Sequence, residues 1–404
     1  EKLLMNILFL FVWLPHLSEE NNIFSSLIHE FKHQGHNVLV SSRDQSGRKS
    51  SEVVEENGIK VLRVVSHPFT GVANPIKKAL AYQEYCIKQR HLIKNFFGNE
   101  KIDLVISHSL PPELAWVVRG VKKQFKCPFY LIQTDFLWQD AVAFDYFRRN
   151  NPICWYYRFW ENRMMKLANY IGCPTKGNID FILKEYPNMN KDNFQLLPFW
   201  QKPTDNVLPD VSVKERDPKL KDKFIVVYGG SIGAAQRIEH MIELAEVCKN
   251  ERGIVFLILG KGAYLPVIKQ MAEEKKLDNV VFKEFLPQKE YLALLATCDV
   301  GMIILHEKMA TPNFPSKSLS YFNMKVPILA ALDYSTDFGD YLVEHNAGLW
   351  AHSDDIPALK DKLMLYYNDR KLLDEIKNNA YKLCIENLQP KHACEKILKF
   401  IKNQ

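Results

Sequence analysis

The stretch VVYGGSIGAAQRIEH (residues 226–240) runs from an apolar strand through a glycine-rich turn into a helical pattern. A strand, a glycine turn and a helix bind phosphate because glycine lets the backbone approach closely and the first amides of the helix point at the anion. The glycines Gly229, Gly230 and Gly233 follow the spacing G-G-x-x-G rather than the dinucleotide spacing G-x-G-x-x-G. The stretch therefore predicts a nucleotide phosphate site in an α/β domain and argues against a nicotinamide cofactor.

Two later stretches of the same half favour the same chemistry. LGKGAYL supplies Gly260 and Gly262 directly after another apolar strand. In NFPSKSLS, Pro315 and Ser316 have the pattern of a helix start, with Lys317 beside its positive end. A helix N-terminus with a flexible ammonium suits a diphosphate. Taken one at a time, the glycines would also serve as tight turns, and Lys317 as a solvated surface lysine.

The alternation of strands and helices occurs twice along the 404 residues. Apolar runs such as NILFLFV, NVLVSS and PFYLIQ alternate with helical patterns, and the rhythm restarts at FIVVY after a segment rich in proline, aspartate and lysine. Parallel sheets covered on both faces produce this rhythm. We predict an α/β fold with two Rossmann-like domains. The predicted divisions are an N-terminal domain (5–200), a linker (201–223), a C-terminal domain (224–385) and a last helix (386–404), which we expect to pack back on the N-terminal domain.

Composition and charge exclude several classes of protein. With 47% hydrophobic and 25% charged residues the chain is globular, and a net charge of +6 is too small to indicate nucleic-acid binding. The eight cysteines lack the spacing of zinc ligands, so we expect free thiols in a reducing cytoplasm and no metal site. The run LLMNILFLFVWL is shorter than the roughly 18 apolar residues of a spanning helix, and no small-residue cleavage site follows it. This run therefore predicts the first strand.

Four longer motifs resemble those of one enzyme family, in the same order along the chain. They are SHSLPPELAWVVRGVKKQFKCPFYLIQTDFLW, YGGSIGAAQRIEHMIELA, LDNVVFKEFLPQKEYLALLATCDVGMIIL and FPSKSLSYFNMKVPIL. Together they are similar to nucleotide-sugar-dependent glycosyltransferases of the GT-B fold. More narrowly they resemble family 4 retaining enzymes of the fucosaminyltransferase (WbuB-like) type, which act in bacterial capsule and O-antigen assembly. The resemblance implies two Rossmann-like domains facing across a cleft, with the donor site in the C-terminal domain and most of the acceptor site in the N-terminal one.

The resemblance also implies how a UDP-sugar donor is held. Uracil would lie against the main chain at Phe285 and Leu286, and backbone amides would hold the diphosphate together with Lys317, which acts catalytically by stabilising the leaving group. The expected donor-binding residues are Gly230, Ser231, Gly233, Gln236, Arg237, Gly260, Lys261, Phe285, Leu286, Pro315, Ser316 and Ser320. Arg237 adds a guanidinium to the site in one interpretation and is a solvated helix arginine in the other.

Several positions of the predicted donor site depart from the family pattern. Ser231 and Gln236 stand where most family 4 enzymes carry an arginine and a lysine, and Ser320 stands where the family has the glutamate that grips the donor ribose. A serine hydroxyl cannot give the bidentate, charged acceptance of a carboxylate. The phosphate charge must therefore be met by amides, by Lys317 and, in the first interpretation, by Arg237.

Polar residues at strand ends of the N-terminal half are candidates for handling the acceptor. His108 and Asp135 each follow an apolar strand, where they would orient acceptor hydroxyls as catalytic residues; the alternative for both is a polar surface role. The expected acceptor-binding residues after the first strand are His16, Asn21 and Asn22, the asparagines standing where the family has paired glycines. The family implies retention of the anomeric configuration, with the leaving phosphate helping to deprotonate the acceptor, and with no metal and no cofactor.

Residues 144–170 combine nine aromatic side chains with five cations and two carboxylates. Aromatic rings with basic residues are typical of a membrane interface, where the rings lie at headgroup level and the cations meet anionic lipid. The alternative is that most of the rings belong to the core of the N-terminal domain. Stacking on nucleic acid fits less well, because no known module pattern accompanies the rings. We predict membrane association through this stretch.

The leading hypothesis is a glycosyltransferase that moves a sugar from a UDP-sugar to a lipid-linked or glycan acceptor in bacterial surface polysaccharide synthesis. Its expected location is the cytoplasm, with peripheral contact to the inner membrane. Two alternatives remain open at this point. A UDP-sugar epimerase shares the two-domain fold, and an inactive nucleotide-sugar-binding subunit is motivated by Ser320.

Overall fold

The computed structural model describes residues 4–18, 22–69, 71–72, 74–204, 209, 214–215, 217–233 and 236–403. The chain divides into two compact units: Glu1–Lys202 with Pro390–Gln404 form the first, and Pro203–Gln389 form the second. Each unit is an α/β domain built on a sheet that is parallel throughout or nearly so. The predicted fold class, two α/β domains in tandem, is confirmed.

Eight strands form the sheet of the first unit. They are β1 (Asn6–Leu10), β2 (Asn37–Arg43), β3 (Glu52–Glu56), β4 (Ile59–Val64), β5 (Leu104–His108), β6 (Phe129–Ile132), β7 (Tyr170–Cys173) and β8 (Phe194–Leu196). Their order in the sheet is β3-β4-β2-β1-β5-β6-β7-β8. The hairpin strands β3 and β4 are antiparallel, and the other neighbours pair in parallel. The carboxyl ends of β1, β5 and β6 therefore lie at one edge of the sheet.

Helices cover both faces of this sheet because its strands are apolar on both sides. The helices are α1 (Ile23–His33), α2 (Pro75–Phe97), α3 (Leu114–Phe125), α4 (Leu137–Ala143), α5 (Pro152–Leu167) and α6 (Lys176–Glu185), with a 3₁₀ turn at Lys191–Asn193. Leu8 of β1 packs in one core cluster with side chains of α2, α3 and α5. Phe9, the next residue, packs in the other cluster with Phe31 of α1. The alternation of β1 side chains thus divides the core of the first unit into two layers.

Six parallel strands form the sheet of the second unit. They are β9 (Phe224–Ser231), β10 (Ile254–Lys261), β11 (Val280–Lys283), β12 (Val300–Ile304), β13 (Ile328–Leu332) and β14 (Gly348–His352). Their order is β11-β10-β9-β12-β13-β14. The chain order reverses direction at β9 and β12, which are neighbours in the sheet. Ligands of open α/β sheets bind outside the carboxyl ends of strands at such a switch point.

The helices of the second unit follow these strands. They are α7 (Glu239–Val247), α8 (Leu265–Glu274), α9 (Gln288–Leu295), α10 (Lys317–Asn323), α11 (Phe338–Glu344), α12 (Ile356–Asn368) and α13 (Arg370–Asn387). Ile238, Met241, Ile242, Ala245 and Cys248, the stripe visible in the sequence, are all fully buried. They pack in one core cluster with residues of β9, β10 and α12.

The last helix, α14 (Pro390–Lys402), belongs to the first unit rather than the second. Its buried residues Ala393, Cys394 and Ile397 join the core cluster that contains Phe9 and Phe31. Within the described residues, no helix has both the length and the hydropathy needed to cross a membrane.

The described parts of residues 201–223, predicted as a linker, are anchored on the second unit. Leu220 is fully buried. Lys283 Nζ lies 3.0 Å from Asp217 Oδ2, and the Thr204 backbone N–H donates to Asn323 Oδ1 at 3.3 Å. This segment therefore leaves the first unit near residue 202 and is packed on the second unit before β9 begins.

Candidate active site

The carboxyl ends of β9 and β10 approach each other main chain to main chain. Gly230 pairs with Gly260 in the ladder, and a Cβ atom on Gly260 would lie 1.9 Å from the Gly230 carbonyl oxygen. A Cβ on Gly262 would lie 1.9 Å from the Ile232 carbonyl oxygen. Gly230 and Gly260 also have φ values of 143° and 154°, which other residues rarely adopt. These glycines are therefore required for the contact between the two loops, and this structural requirement does not depend on a ligand.

Lys317 opens α10 and directs its ammonium at this glycine contact. Its Nζ lies 3.7 Å from the centroid of the Tyr228 ring, and a Cβ on Gly230 would come within 2.9 Å of Nζ. Desolvation lowers the pKa of Lys317 to about 7. In the described part of the chain no carboxylate lies within ion-pair distance of this ammonium. Lys317 is thus a cation with an aromatic neighbour and no anion, at the switch point of the sheet.

Buried tyrosines lie around the glycine turn. The Tyr228 hydroxyl donates to the Ser231 carbonyl at 2.9 Å, and the Tyr321 hydroxyl donates to the Met302 carbonyl at 3.2 Å. The Tyr291 ring fills the space beside Gly229, where a Cβ would lie 2.4 Å from it. Burial raises the pKa of Tyr228 above its ordinary value, so the ring facing Lys317 stays neutral and attracts the cation through its π face.

The Gly233 amide, predicted to meet a phosphate, has a partner within the turn. The Gly233 N–H donates to Gln236 Oε1 at 3.0 Å, and the Ile232 N–H donates to the Lys261 carbonyl at 3.0 Å. The helix after the turn begins at Glu239, with Ile238 at its N-cap. The backbone N–H groups of Ile232 and Gly233 therefore have hydrogen-bond partners within the protein. Gln236 is the partner of Gly233.

Arg237 fits neither interpretation that the sequence left open. Its Nη1 lies 3.3 Å from Glu239 Oε1 and its Nε 3.4 Å from Glu307 Oε1. The second oxygen of Glu307 lies 3.0 Å from His240 Nε2 and 3.1 Å from His306 Nδ1. Desolvation opposes the ionisation of Glu307, but hydrogen bonds, including that of His240, and the charge of Arg237 lower its pKa. Arg237 is held in an ionic network and is no free anion ligand.

The loop before Lys317 is braced by a turn that sequence reasoning missed. Ser335 Oγ donates to the Met309 carbonyl at 2.9 Å, and Thr336 Oγ1 donates to the Asn313 carbonyl at 2.7 Å. Asp333 Oδ1 in turn accepts the backbone N–H groups of Ser335 at 2.6 Å and Thr336 at 3.0 Å. Burial raises the pKa of Asp333 to about 6. The only sequence signal was Asp-x-Ser-Thr directly after a strand, a common turn composition.

The predicted helix start is weaker than expected. Ser316 is at the N-cap of α10, but its side chain makes no capping hydrogen bond, and the helix has seven residues. Pro315 is buried and Ser316 exposed. The charge of Lys317, rather than a long helix dipole, is therefore the electrostatic feature of this end of the sheet.

The remaining donor candidates lie on separate elements of the second unit. Phe285 is 59% exposed, and the Lys261 Nζ lies 4.4 Å from the centroid of its ring. Leu286 is half-buried beside it, and Ser320 is half-buried on α10. The Lys261 ammonium therefore makes a cation–π contact with Phe285. Ser320 belongs to the same short helix as Lys317.

The first unit brings His108 and Asp135 together. His108 Nε2 lies 2.6 Å from Thr134 Oγ1 and 3.3 Å from Asp135 Oδ2, and the Thr134 hydroxyl donates to the same Asp135 oxygen at 2.5 Å. Desolvation opposes ionisation of Asp135, but the hydrogen bonds of His108 and Thr134 lower its pKa. The ring of Phe24 packs 4.9 Å from the His108 ring. A carboxylate, a hydroxyl and an imidazole thus form one linked group at the ends of β5 and β6.

The turn after β1 is held by an ion pair that the sequence did not reveal. Arg63 binds Glu56 at 2.7 Å, and the two side chains are 4% and 0% exposed. Arg63 also donates to the carbonyls of Leu14 at 2.7 Å and Pro15 at 2.9 Å, while Glu56 accepts the Leu17 N–H at 2.8 Å. The pair therefore fixes the loop that carries His16, whose Nδ1 lies 2.6 Å from Ser18 Oγ.

Asn22 caps the helix that follows this turn. Its side chain accepts the Ser25 N–H at 2.8 Å and caps α1. In turn, the Ser25 hydroxyl oxygen accepts the Asn22 backbone N–H. The amide oxygen of Asn22 is thus engaged by the helix cap, and its role in acceptor binding stays a prediction. Asn21 lies outside the described residues. Across the described ranges, no group of three or more His, Cys, Asp and Glu side chains is arranged to hold a metal ion.

Comparison with known proteins relates this chain to one sequence family. Residues 212–383 match the family described as "Glycosyl transferases group 1". The match lies within the second unit and covers less than half of the chain. WbjE of Pseudomonas aeruginosa, named as a glycosyltransferase, is 30% identical over 161 residues, which are 39% of this chain and 37% of that protein. WcaI of Escherichia coli K12, named as a colanic acid biosynthesis glycosyl transferase, is 31% identical over 112 residues, or 27% of this chain and 26% of that protein. The matched stretches thus span about a third of these relatives.

Solved structures share the fold over nearly the whole chain. HepE of Anabaena, solved in complex with UDP, has a TM-score of 0.68 and 13% identity, covering 99% of this chain and 100% of that one. An Escherichia coli protein described as trehalose-6-phosphate bound with UDP-2-fluoro glucose has a TM-score of 0.75 and 10% identity, covering 99% of each chain. The predicted GT-B fold is confirmed, and the domain match and the named relatives support a glycosyltransferase.

Proposed function

We propose that the protein transfers a sugar from a UDP-sugar to a lipid-linked or glycan acceptor in the synthesis of a bacterial surface polysaccharide. The transfer retains the anomeric configuration and needs neither metal ion nor cofactor. Support for the donor comes from the group 1 domain and from fold neighbours solved with UDP or a UDP-sugar. Support for the pathway class comes from the relative named for colanic acid biosynthesis.

The observation that carries the proposal is Lys317. An ammonium that is desolvated, close to a glycine turn and without a carboxylate partner among the described residues is destabilising unless it receives an anion. A diphosphate supplies that anion. A Cβ on Gly230 would lie 2.9 Å from the Lys317 Nζ, so any side chain at this position would crowd the ammonium that we propose meets the diphosphate.

The chemistry follows from this charge. The bond between the anomeric carbon and the diphosphate oxygen breaks, and its electron pair goes to the diphosphate, whose developing charge Lys317 stabilises. The acceptor oxygen bonds to the anomeric carbon and its proton passes to the leaving phosphate. We propose that His108 and Asp135 orient acceptor hydroxyls, because their linked polar atoms offer both a donor and a charged acceptor.

The test is a sequence of two measurements on the full chain. UDP binding is measured by calorimetry for the wild type, for Lys317→Met and for Lys371→Met, an exposed lysine of α13 that serves as control. UDP release from a panel of UDP-sugars is then followed with and without membrane extract, and again after chelation of metals. The proposal requires acceptor-dependent release that survives chelation and is lost in Lys317→Met alone.

Other outcomes identify the alternatives. UDP binding with no turnover across donors and extracts would favour a nucleotide-sugar-binding subunit, the alternative motivated by Ser320. A changed sugar formed in the absence of acceptor would favour an epimerase. Unchanged UDP affinity in Lys317→Met would overturn the phosphate assignment itself.

We further propose peripheral contact with the cytoplasmic face of the membrane through residues 144–170. One side of this stretch is core, since Cys154, Met164 and Met165 are buried. The other side exposes aromatic rings: Tyr146, Trp155 and Phe159 are 64%, 61% and 57% exposed. Exposed cations accompany them: Arg148, Arg158, Arg163 and Lys166. Rings and cations on one exposed side suit a bilayer interface.

The test reverses the charge of cations that make no side-chain contact with the fold. Arg149 is bound to Glu185 at 2.9 Å, and the Arg158 guanidinium lies 5.8 Å from the centroid of the Trp138 ring, so reversing either would perturb the fold as well as the surface. The variant Arg148→Glu/Arg163→Glu is therefore expected to lose partition onto anionic vesicles. Lys191→Glu, on the 3₁₀ turn, serves as control. Unchanged partition of the double variant would end this proposal.

A further inference from the structure

A groove of about 620 Å³ runs between α2 and α3 on the surface of the first unit. Its lining includes Ile87, Arg90, Lys94, Trp116, Gly120 and Lys123. The first three belong to α2 and the last three to α3. On each helix they are three or four positions apart, which is the spacing of one helix face. The groove is therefore formed by two facing stripes, and it brings three cations together.

Arg90 is held at the wall of this groove. Its guanidinium lies 4.2 Å from the centroid of the Trp116 ring. A Cβ on Gly120 would lie 2.3 Å from Arg90 Nε, so a side chain at that position would displace the guanidinium. An aromatic face attracts a guanidinium without neutralising its charge. Arg90 is thus positioned by its neighbours and keeps its charge available to a ligand.

The cations of the groove have no counter-charge. Among the residues that the structure describes, no carboxylate is paired with Arg90, Lys94 or Lys123. Glu84 is the one acidic residue in the sequences of α2 and α3, and its carboxylate binds Lys88 at 2.6 Å. Like charges in one groove repel each other. The groove therefore favours an anion that carries more than one negative charge.

The neighbouring cavity does not supply this charge. It has a volume of about 280 Å³, is lined by Glu113, and shares Ile87 and Trp116 with the groove. Glu113 is 1% exposed and accepts the Tyr156 hydroxyl at 2.9 Å. Burial raises the pKa of Glu113 to about 7, so its carboxyl is protonated in about half of the molecules near pH 7. Glu113 is therefore a weak source of negative charge for the groove.

An exposed apolar stripe of α2 leads into the groove. Ile76, Leu80 and Ile87 are 66%, 61% and 57% exposed. Positions 76, 80, 83, 87, 90 and 94 of this helix are again three or four apart, so the stripe and the cations share one side. Along α2 the apolar side chains come first, and Arg90 and Lys94 follow. This is the order of a lipid with a terminal anionic headgroup, and the stripe favours a lipid over a soluble anion.

We propose that the groove binds the phosphomonoester headgroup of an anionic lipid. The phosphate lies against Arg90, Lys94 and Lys123, and the acyl chain runs along Ile87 and Leu80. A phosphomonoester carries about −1.5 to −2 charges near pH 7 and has three terminal oxygens that accept hydrogen bonds from cations. A phosphodiester carries a single charge and matches the three cations less well. This inference rests on the proposed membrane contact and adds a headgroup preference to it.

The test compares two anionic lipids at equal surface charge. Full-length protein is sedimented with phosphatidylcholine vesicles that contain phosphatidic acid, a phosphomonoester, or phosphatidylglycerol, a phosphodiester, in proportions that give the same zeta potential. We expect binding to the phosphatidic acid vesicles to be about fivefold tighter, the scale of one exposed charge pair. Equal binding to the two vesicles overturns the headgroup site and leaves the membrane proposal standing. Binding to neither overturns both.

Variants then assign the preference to the groove. Lys94 and Lys123 are exposed, so Lys94→Gln/Lys123→Gln leaves the core intact. This variant is expected to lose the preference for phosphatidic acid while weaker binding to phosphatidylglycerol persists. Lys184→Gln/Lys191→Gln removes the same charge from exposed lysines of the first unit that do not line the groove, and it is expected to keep the preference. Retention of the preference in the first variant would overturn the proposal.

A soluble ligand tests whether the phosphate belongs to a lipid. Glycerol 3-phosphate offers the same phosphomonoester without acyl chains, and it is titrated into Lys317→Met, which lacks the phosphate ligand proposed for the second unit. We expect no saturable binding at concentrations at which the vesicle lipid saturates. Equally tight binding would overturn the lipid as the ligand. A dimer that dissociates in Leu80→Gln while vesicle binding stays unchanged would make the stripe an interface between copies of the chain and would also overturn the proposal.

Discussion

Each unit has a cation near the carboxyl ends of its strands, buried in the first unit and half-buried in the second, and the surroundings of the two cations are opposite. Arg63 in the first unit is 4% exposed, paired with Glu56 and bonded to two main-chain carbonyls. Lys317 in the second unit has an aromatic ring and glycines as neighbours and no carboxylate within the described residues. The first cation is satisfied by the fold and positions a loop. The second is left unsatisfied, which is the state of a group that awaits a ligand.

Removing Glu56 should have the largest effect on the fold. Glu56→Gln leaves Arg63 buried without its counter-charge, which is expected to cost about 3–5 kcal/mol of the free energy of unfolding. Desolvation raises and the Arg63 hydrogen bonds lower the pKa of Glu56, with a net lowering from its ordinary 4.5. The stability that this carboxyl provides is therefore complete above pH 4.5 and is lost as the pH falls through its lower folded pKa.

Urea unfolding of the full chain measures this loss. Glu52→Gln, at the other end of the same strand, removes the exposed partner of Arg48 and should cost less than about 1 kcal/mol. If the two variants were equally stable, Arg63 would not depend on its partner, and the contrast between the two cations would disappear.

Lys317→Met should have the next largest effect, and on binding rather than folding. Loss of a charged hydrogen-bond donor should weaken UDP binding by about 10- to 100-fold. The same change removes a desolvated ammonium, so the unliganded variant should unfold at a higher temperature than the wild type near pH 7. Calorimetry measures the expected loss of UDP affinity, and thermal unfolding measures the expected gain in stability. A variant that loses stability as well as affinity would show that Lys317 is a structural cation like Arg63.

The fold was accessible from the sequence because its signals are local. Apolar runs, the helical stripe from Ile238 to Cys248 and the glycine turns are each contained within about ten residues, and the structure has strands and helices where they were predicted. The ion-pair partners of the charged side chains could not be predicted from the sequence. Glu56 and Arg63 lie on the two strands of a hairpin, but nothing in the sequence shows that both would be turned inward onto the loop of Leu14 and Leu17.

The site was predicted in part for the same reason. The pattern Pro-Ser-Lys singled out Lys317 as a candidate because the signal is local, and its role stays a prediction. The closure of the turn by Gln236 and the capture of Arg237 by Glu307 depend on distances between loops that are far apart in sequence. The spacing of residues in the sequence predicts which side chains lie at the edge of a sheet. It does not predict which of them form hydrogen bonds with one another, because that depends on their three-dimensional positions.

A smaller effect is expected from pH. The pKa of Lys317 is lowered from 10.5 to about 7, so its ammonium is present below pH 7 and is lost as the pH rises through 7. UDP affinity of the wild type should therefore fall across this range, by less than about tenfold per pH unit. Lys317→Arg stays charged and should show a flatter profile. Parallel profiles for the two proteins would mean that the phosphate, and not Lys317, sets the pH dependence.

The smallest expected effect concerns Ser320, where the resemblance places a ribose-binding glutamate. Ser320 is half-buried on α10, three residues from Lys317 on the same helix. Ser320→Glu supplies a charged acceptor for two ribose hydroxyls and should tighten UDP binding by a few-fold, in the range of about 1 kcal/mol for a net hydrogen bond. Ser320→Gln has the same length without the charge and should gain less. A decrease in affinity for the glutamate variant alone would mean that its charge opposes the diphosphate or neutralises Lys317, so that this chain depends on serine to keep the Lys317 ammonium available.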